Sequence, residues 1–380
     1  MRISVVESLE EIAAQDWNHL AGDRHPFLRH EFLIALERHE GVGPRFGWYP
    51  RYLTATDGAR LVGAVPMYLK NNSYGEFVFD WAWADAYQRA GLSYYPKLVV
   101  AAPYTPATGP RLLLDPARSA EPIAQALMQG AQDYAQELGV SSLHWLFPDP
   151  TDMARLQQQG LLLRSGCQFH WENRGYRDFD DFLSTFAAEK RKKIKRERRR
   201  VQEQGVTIEV LHGDELSAEQ WAVYHAFYTD TFDRKGGMPT LSRGFFEELG
   251  RTMPRNVVLV LASHGGRYVA AAFNLRGADT LYGRHWGASE EFHSLHFEAC
   301  YYQGLDYCIR EGLRRFEPGA QGEHKISRGF LPTPTWSAHW IAHPQFRRAI
   351  ADFLERERHG MDYYMKGLHE HSPYKAPAAT

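Results

Sequence analysis

Val257-Val258-Leu259-Val260-Leu261-Ala262, the turn His264-Gly265-Gly266, and the run from Tyr268 to Leu275 (YVAAAFNL) decide the fold. Two apolar runs around a glycine turn mark a β-hairpin. The pattern also stands earlier, where Arg51-Tyr52-Leu53-Thr54-Ala55-Thr56 leads through Asp57-Gly58 into Arg60 to Leu69 (RLVGAVPMYL). The elements downstream of the two hairpins match too. After the first come a short strand at Lys97–Ala101, a helix from Pro122 to Leu138 stopped by Gly139, and a strand at Ser141–Phe147. After the second come Thr280-Leu281-Tyr282-Gly283, a helix from about His296 to Leu313, and Arg315-Phe316-Glu317. A hairpin, central strand, helix and closing strand occurring twice predict a duplicated α/β (α+β) chain with mixed central sheets. The cycle restarts between Phe169 and Asp181, which divides the chain into domains 1–172 and 173–380.

Composition fits that division. At 380 residues there is room for two or three domains of about 150 residues each, and 44% hydrophobic with 13% aromatic residues fills two cores. No apolar run approaches the roughly 18 residues of a membrane helix. MRISVVESLEEIAAQ has acids where a signal peptide has a basic start, so a cytoplasmic protein with no membrane span is expected. Cys167, Cys300 and Cys308 are too few for a disulfide framework and read as buried thiols. The 18 histidines form no HExxH or Cys/His ligand pattern, so no metal is expected.

The net charge of −2 hides a local extreme: Lys190 to Arg200 (KRKKIKRERRR) holds nine basic residues. Leu183, Phe186, Ile194 and Val201 mark one face of a helix over 181–204, in the second domain. The cations occupy its other faces. Such a helix is either solvated or a groove for phosphates, in which case Lys192, Lys195 and Arg199 are the contacts to a nucleotide-activated donor or an RNA. A helical tail closes the domain.

The densest polar segment lies just past Arg315-Phe316-Glu317. Glu317, Gln321, Glu323, His324, Lys325 and Arg328 fall within a dozen residues. Charges at the mouth of a core strand are costly to desolvate, and binding groups concentrate on loops held by a rigid scaffold. The segment reads as the floor of a substrate site. Glu317, on a buried strand, requires a charge partner.

Several stretches carry a family resemblance. Glu189-Lys190-Arg191-Lys192-Lys193-Ile194, Trp286-Gly287-Ala288-Ser289-Glu290-Glu291, the long helix and Arg328-Gly329-Phe330 resemble the C-terminal module of Fem-type peptidoglycan-bridge aminoacyltransferases, which are tandem domains of the GNAT acyltransferase fold. Across residues 20 to 370 the chain is similar to the FemAB-like branch of bacterial peptidoglycan biosynthesis or recognition proteins. Tyr94-Tyr95-Pro96-Lys97-Leu98-Val99-Val100, Tyr104-Thr105-Pro106-Ala107-Thr108-Gly109-Pro110-Arg111 and Gly319-Ala320-Gln321-Gly322-Glu323-His324-Lys325 carry that closer likeness. It implies tandem duplicated GNAT-like domains and transfer of an acyl or aminoacyl group to an amine acceptor, such as a peptidoglycan-precursor-like or amino-acid-like molecule. A non-catalytic binding protein for a cell-wall precursor or amino-acid-like ligand is the alternative. GNAT acetyltransferases hold the pyrophosphate of coenzyme A on an Arg/Gln-x-x-Gly-x-Gly/Ala loop. Here Pro103 to Pro110 has one glycine and Trp286 to His296 has Gly287 alone, so acyl-CoA and aminoacyl-tRNA both stay open as donors.

Acyl transfer needs an unprotonated amine, a stabilised oxyanion and a protonated leaving group. His324, Lys325 and Glu317 are the catalytic candidates, with His324 or Glu323 as base and Lys325 and Arg328 as oxyanion or phosphate partners. Gln321 and Glu323 join Arg328 as substrate contacts. Arg284 and His285, after the second central strand, line the pocket or pack with Glu298. Asp80 and Trp83 suit a sugar or a cationic amine, and Tyr104, Thr105 and Arg111, stiffened by neighbouring prolines, suit a preformed binding edge.

Overall fold

Both hairpins form in the structure, a computed structural model that describes residues 1–375. The first unit takes Met1–Cys167 and Pro334–Tyr363. It holds β1 (Arg2–Val6), β2 (Trp48–Pro50), β3 (Tyr52–Asp57), β4 (Arg60–Val65), β5 (Met67–Lys70), β6 (Lys97–Val100), β7 (Leu113–Leu114) and β8 (Ser142–Leu146), and the chain leaves it along β9 (Leu162–Glu172). β3 pairs antiparallel with β1 and β4. Pro66 lacks the N–H a ladder needs, so the expected run Arg60–Leu69 splits. β4 stays with β3, whereas β5 pairs antiparallel with β6. β6 then runs parallel to β8.

The second unit takes Gln168–Thr333 and the chain from Tyr364 on. Its strands are β10 (Thr207–His212), β11 (Val257–His264), β12 (Arg267–Arg276), β13 (Thr280–Ala288) and β14 (Arg315–Glu317). The first four pair antiparallel in order, β13 runs parallel to β14, and β14 pairs antiparallel with the end of β9. The two units thus share one plan: an antiparallel run, a parallel pair joined through a helix, and a closing antiparallel strand.

The closing strands are where the sequence division needs correction. Ser337–Ile341 of β15 (Leu331–Ile341) pairs with β8, His339 opposite His144. The helix Pro344–His369 then sends Ile350 and Leu354 into a cluster with Trp83, Tyr87 and Tyr94. Residues 334–363 therefore belong to the first unit, because β8 would otherwise present an open edge. A cut after 172 assigns them to the second.

Glycines let helices lie close on each sheet. In the first unit a Cβ on Gly63 would stand 2.6 Å from Ile123, on the helix Ala120–Glu137. In the second, a Cβ on Gly287 would stand 2.3 Å from the carbonyl oxygen of Phe227, on the helix Ala218–Arg234.

Two expected helices are interrupted. The basic helix over 181–204 is two helices, Phe179–Ser184 and Ala188–Glu203. Between them the Ala187 N–H donates to the Pro373 carbonyl and the Lys375 N–H to that of Thr185, which ends the first helix. The helix expected from His296 to Leu313 contains a π turn at Glu298–Tyr302 between helical segments Leu295–Phe297 and Gln303–Arg310. No helix among the described residues is long and apolar enough to cross a membrane.

Candidate active site

The parallel pairing of β13 and β14 ends at Tyr282 and Glu317. β13 continues to Ala288, held on its other edge by β12, while the chain after Glu317 turns off through Pro318 and Gly319, the latter at φ +93°. The strands fork, and Gly283 keeps them tight at the fork, since a Cβ there would lie 3.1 Å from the Pro318 Cα.

In the first unit the matching fork is filled. The Gly109 N–H donates to the Phe147 carbonyl (3.1 Å) and the Asp149 N–H to the Gly109 carbonyl (2.9 Å). The open fork belongs to the second unit.

Beyond it, a short 3-10 helix, Glu323–Arg328, carries most of the predicted residues. It enters at Gly322, φ +113°, where a Cβ would overlap the His324 ring at 2.4 Å. It leaves at Gly329, φ +94°, pressed by Phe182, Phe186 and Tyr374. Glycine is the residue that tolerates both conformations.

The buried Lys325 donates from Nζ to the Gly319 carbonyl at 2.7 Å. Burial lowers its amine to about 8. His324 is exposed at its edge and shares a 2.8 Å hydrogen bond between Nε2 and the Tyr301 hydroxyl. Partial burial, then the charges of Arg328 and Lys325, push its imidazole below the ordinary range, so it is neutral at pH 7. Arg328 is 2% exposed and committed to the protein. Its Nη2 donates to both Glu197 carboxylate oxygens (2.9 and 3.1 Å), its Nη1 to the His324 carbonyl (2.8 Å), and its guanidinium lies 3.4 Å from the centre of the Phe297 ring. It fixes the 3-10 helix; it is not a free anion clamp.

A cleft of roughly 630 Å³ opens beside these groups. Thr231, Arg234 and Lys235 form one wall and Trp286, Glu290, Glu291, Phe292 and His293 the other, with His296 among the lining residues. The His296 ring centre lies 5.4 Å from that of Tyr301 and 6.2 Å from that of His324. Burial, then His324 and the nearby cations, hold His296 at about 4. His296, an uncharged imidazole, is the lining residue of the cleft that is in ring contact with Tyr301 and His324.

The other expected residues fall differently. Glu317 is buried, as expected, with the Arg315 guanidinium 3.7 Å away and the His170 ring, held neutral by burial, at 3.9 Å. Gln321 and Glu323 are exposed, and Glu323 accepts from the Tyr364 hydroxyl at 2.7 Å. Glu298 pairs with Arg198 at 3.1 Å. Arg284 and His285 lie within β13, where burial lowers Arg284 to about 10 and leaves His285 neutral.

In the first unit Asp80 and Trp83 are interior groups, Asp80 ion-paired to Lys97. Tyr104 donates to the Gly41 carbonyl (2.7 Å) and Thr105 to that of Pro103 (2.9 Å). Arg111, fully buried, donates to the carbonyls of Leu146 (2.7 Å) and Ala107 (2.8 Å). This expected binding edge is the plug of the closed fork. On the basic helix Lys192 is exposed, Lys195 meets Asp180 at 2.7 Å and Arg199 meets Glu203 at 3.4 Å.

Sequence reading did not find Tyr301, Tyr302, Glu197 or His296. The π turn sets the tyrosines, and Tyr302 donates to Glu197. Glu197 was legible only as the one acid inside KRKKIKRERRR.

A family model described as peptidoglycan biosynthesis/recognition, FemAB-like, matches residues 8–376. The chain belongs to the FemAB-like family. Among solved structures, FemX is similar at a TM-score of 0.56 and 11% identity, over 92% of this chain and 100% of that one. The C-terminal domain of a putative lysylphosphatidylglycerol synthetase from Agrobacterium fabrum aligns at 0.52 and 10%, over 89% and 96%. A tandem GNAT protein from the clavulanic acid biosynthesis pathway aligns at 0.47 and 14%, over 90% and 99%. No curated protein matches significantly by sequence. In this FemAB-like chain the fold is two α/β units built on one plan, and FemX is similar in fold over the length of the chain.

Proposed function

We propose that this protein transfers an acyl or aminoacyl group to the amine of a peptidoglycan-precursor-like or amino-acid-like acceptor, at the open fork of the second unit. The observation that carries the reading is the convergence of a neutral His324, the Tyr301 hydroxyl and the buried amine of Lys325 beside a cleft. His324 takes the proton of the attacking amine. The amine nitrogen bonds to the acyl carbon, the bond to the leaving oxygen or sulfur breaks, and that atom receives the proton. Lys325, with one N–H on Gly319, keeps two further donors for the oxyanion.

Two features favour an aminoacyl ester of RNA over acyl-CoA as donor. The loop before Leu295 offers Glu290 and Glu291 where a pyrophosphate needs backbone donors. The basic helix also meets the cleft, Arg200 Nη1 lying 3.2 Å from Nε2 of the cleft residue His293.

The test is turnover with labelled aminoacyl-tRNA and with labelled acyl-CoA, with and without ribonuclease, against a panel of amine acceptors. Ribonuclease-sensitive transfer is expected. Ligand binding with no transfer from either donor would make the protein a binder and end the enzymatic reading.

A further inference from the structure

The loop between β5 and the helix Trp81–Arg89 is turned inside out. Its charged residues point inward: Glu76 is 3% and Asp80 2% exposed, and both carboxylates bind the buried ammonium of Lys97, Glu76 at 2.8 Å. Its aromatic residues point outward: Tyr74 is 70%, Phe77 40%, Phe79 57% and, at the start of the helix, Trp81 41% exposed. Burying charges and exposing rings both oppose folding.

The arrangement is also held rigidly. The Tyr74 carbonyl accepts from the Trp48 indole (3.2 Å) and the Lys70 ammonium (3.0 Å), and Ser73 bonds the Tyr95 hydroxyl (2.8 Å). Gly75 lies so close to Tyr104 that a Cβ would stand 2.5 Å from its ring. Phe77 adopts φ +59°, a left-handed conformation unusual for a bulky residue.

The rings form an exposed aromatic patch, Tyr74 and Trp81 packing at 5.2 Å between ring centres, and such patches mark interaction sites. We infer that the loop 71–81 is a docking edge for the interfacial zone of an anionic phospholipid bilayer. Tyr and Trp at its ends and Phe between them are the residues that settle at the headgroup boundary. The charge around them fits an anionic surface. Within 71–81 both acids are buried, Arg45 is exposed beside the loop with its guanidinium 5.1 Å from the Phe46 ring, and the neighbouring helix carries one exposed residue of each sign, Asp85 and Arg89. Phe46 is tied to the loop, its carbonyl accepting from Asn72 at 3.2 Å. No membrane-spanning helix is required, since the binding is peripheral.

The test is co-sedimentation of the full-length protein with vesicles of phosphatidylcholine alone and of phosphatidylcholine with a quarter phosphatidylglycerol. Wild-type protein should partition onto the second kind more than the first. Tyr74→Ser with Phe79→Ser should lower that partition by about tenfold or more, with the thermal midpoint unchanged because both rings are exposed. Arg45→Gln should lower it about twofold, on the anionic vesicles only. Wild-type protein that stays in the supernatant, or a double variant that binds as well as wild type, overturns the proposal. So does a self-associated species in gel filtration that the double variant abolishes, since that assigns the rings to a protein interface.

Discussion

In the proposed reaction Lys325 and His324 divide the labour by their surroundings, and each yields a measurable consequence. Lys325 is enclosed and His324 reaches solvent. Removing a group that stabilises transition-state charge costs about 10²- to 10³-fold in turnover, so His324→Ala and Lys325→Ala should each lose most activity in a transfer assay. Each also gives up one hydrogen bond. His324→Ala, which removes the bond to the Tyr301 hydroxyl, should cost about 1 kcal/mol of unfolding free energy. Lys325→Ala, which removes the hydrogen bond to Gly319, should cost about 1 kcal/mol. Near-normal turnover in both would move the chemistry away from the 3-10 helix. The pH profile is a second check. With His324 as the neutral base of the proposed reaction, rate should rise as pH climbs through its depressed value, below 6.5. With Lys325 as its ammonium, rate should fall as pH passes about 8. Lys325→Arg should shift the alkaline limb upward; an unmoved limb would remove Lys325 from that role. Both residues were legible in the sequence as polar density after a core strand. The commitment of Arg328 was not, because its partner Glu197 lies 131 positions away inside a basic run.

At the scale of elements, the helix Ala188–Glu203 has an inner and an outer face that its charge alone does not separate. Glu197 and Arg198 face inward, to Arg328 and to Glu298 with Asp306. Lys190, Lys192, Lys193, Lys195, Arg196, Arg199 and Arg200 remain at the surface. Replacing Lys192, Lys195 and Arg199 by Gln should therefore leave folding intact, weaken RNA binding, and flatten its salt dependence by about one counterion per lost contact. An unchanged slope would reduce the outer face to a solvated one. Ile194 and Val201 announced the buried stripe of this helix at helical spacing. Periodicity could not announce the π turn at Glu298–Tyr302. One extra residue in a turn leaves the apolar pattern almost unchanged while rotating the hydroxyls of Tyr301 and Tyr302 toward His324 and Glu197. The plug formed by Tyr104, Thr105 and Arg111 was misread for a related reason. Proline-stiffened polar loops look alike whether their donors face a ligand or, as here, main-chain carbonyls.

For the molecule as a whole, the repeated plan was visible because a hairpin, a parallel pair and their connecting helix are local in sequence. The closing strands were not, because their partners are distant: β8 ends at Leu146 and is completed by Ser337–Ile341. That exchange leads to a prediction about fragments. A chain of residues 1–172 leaves the edge of β8 unpaired and lacks Ile350 and Leu354 over Trp83 and Tyr87. It should aggregate or melt without a cooperative transition. Joining residues 1–167 to 334–363 through a few glycines and serines restores both. The join is short, since a Cβ on Gly166 would lie 2.9 Å from the Thr335 hydroxyl. This fragment should melt cooperatively by circular dichroism. If residues 1–172 alone melt as sharply and at the same temperature, the first unit does not depend on the returning strand, and the simple division after 172 describes the folding units better.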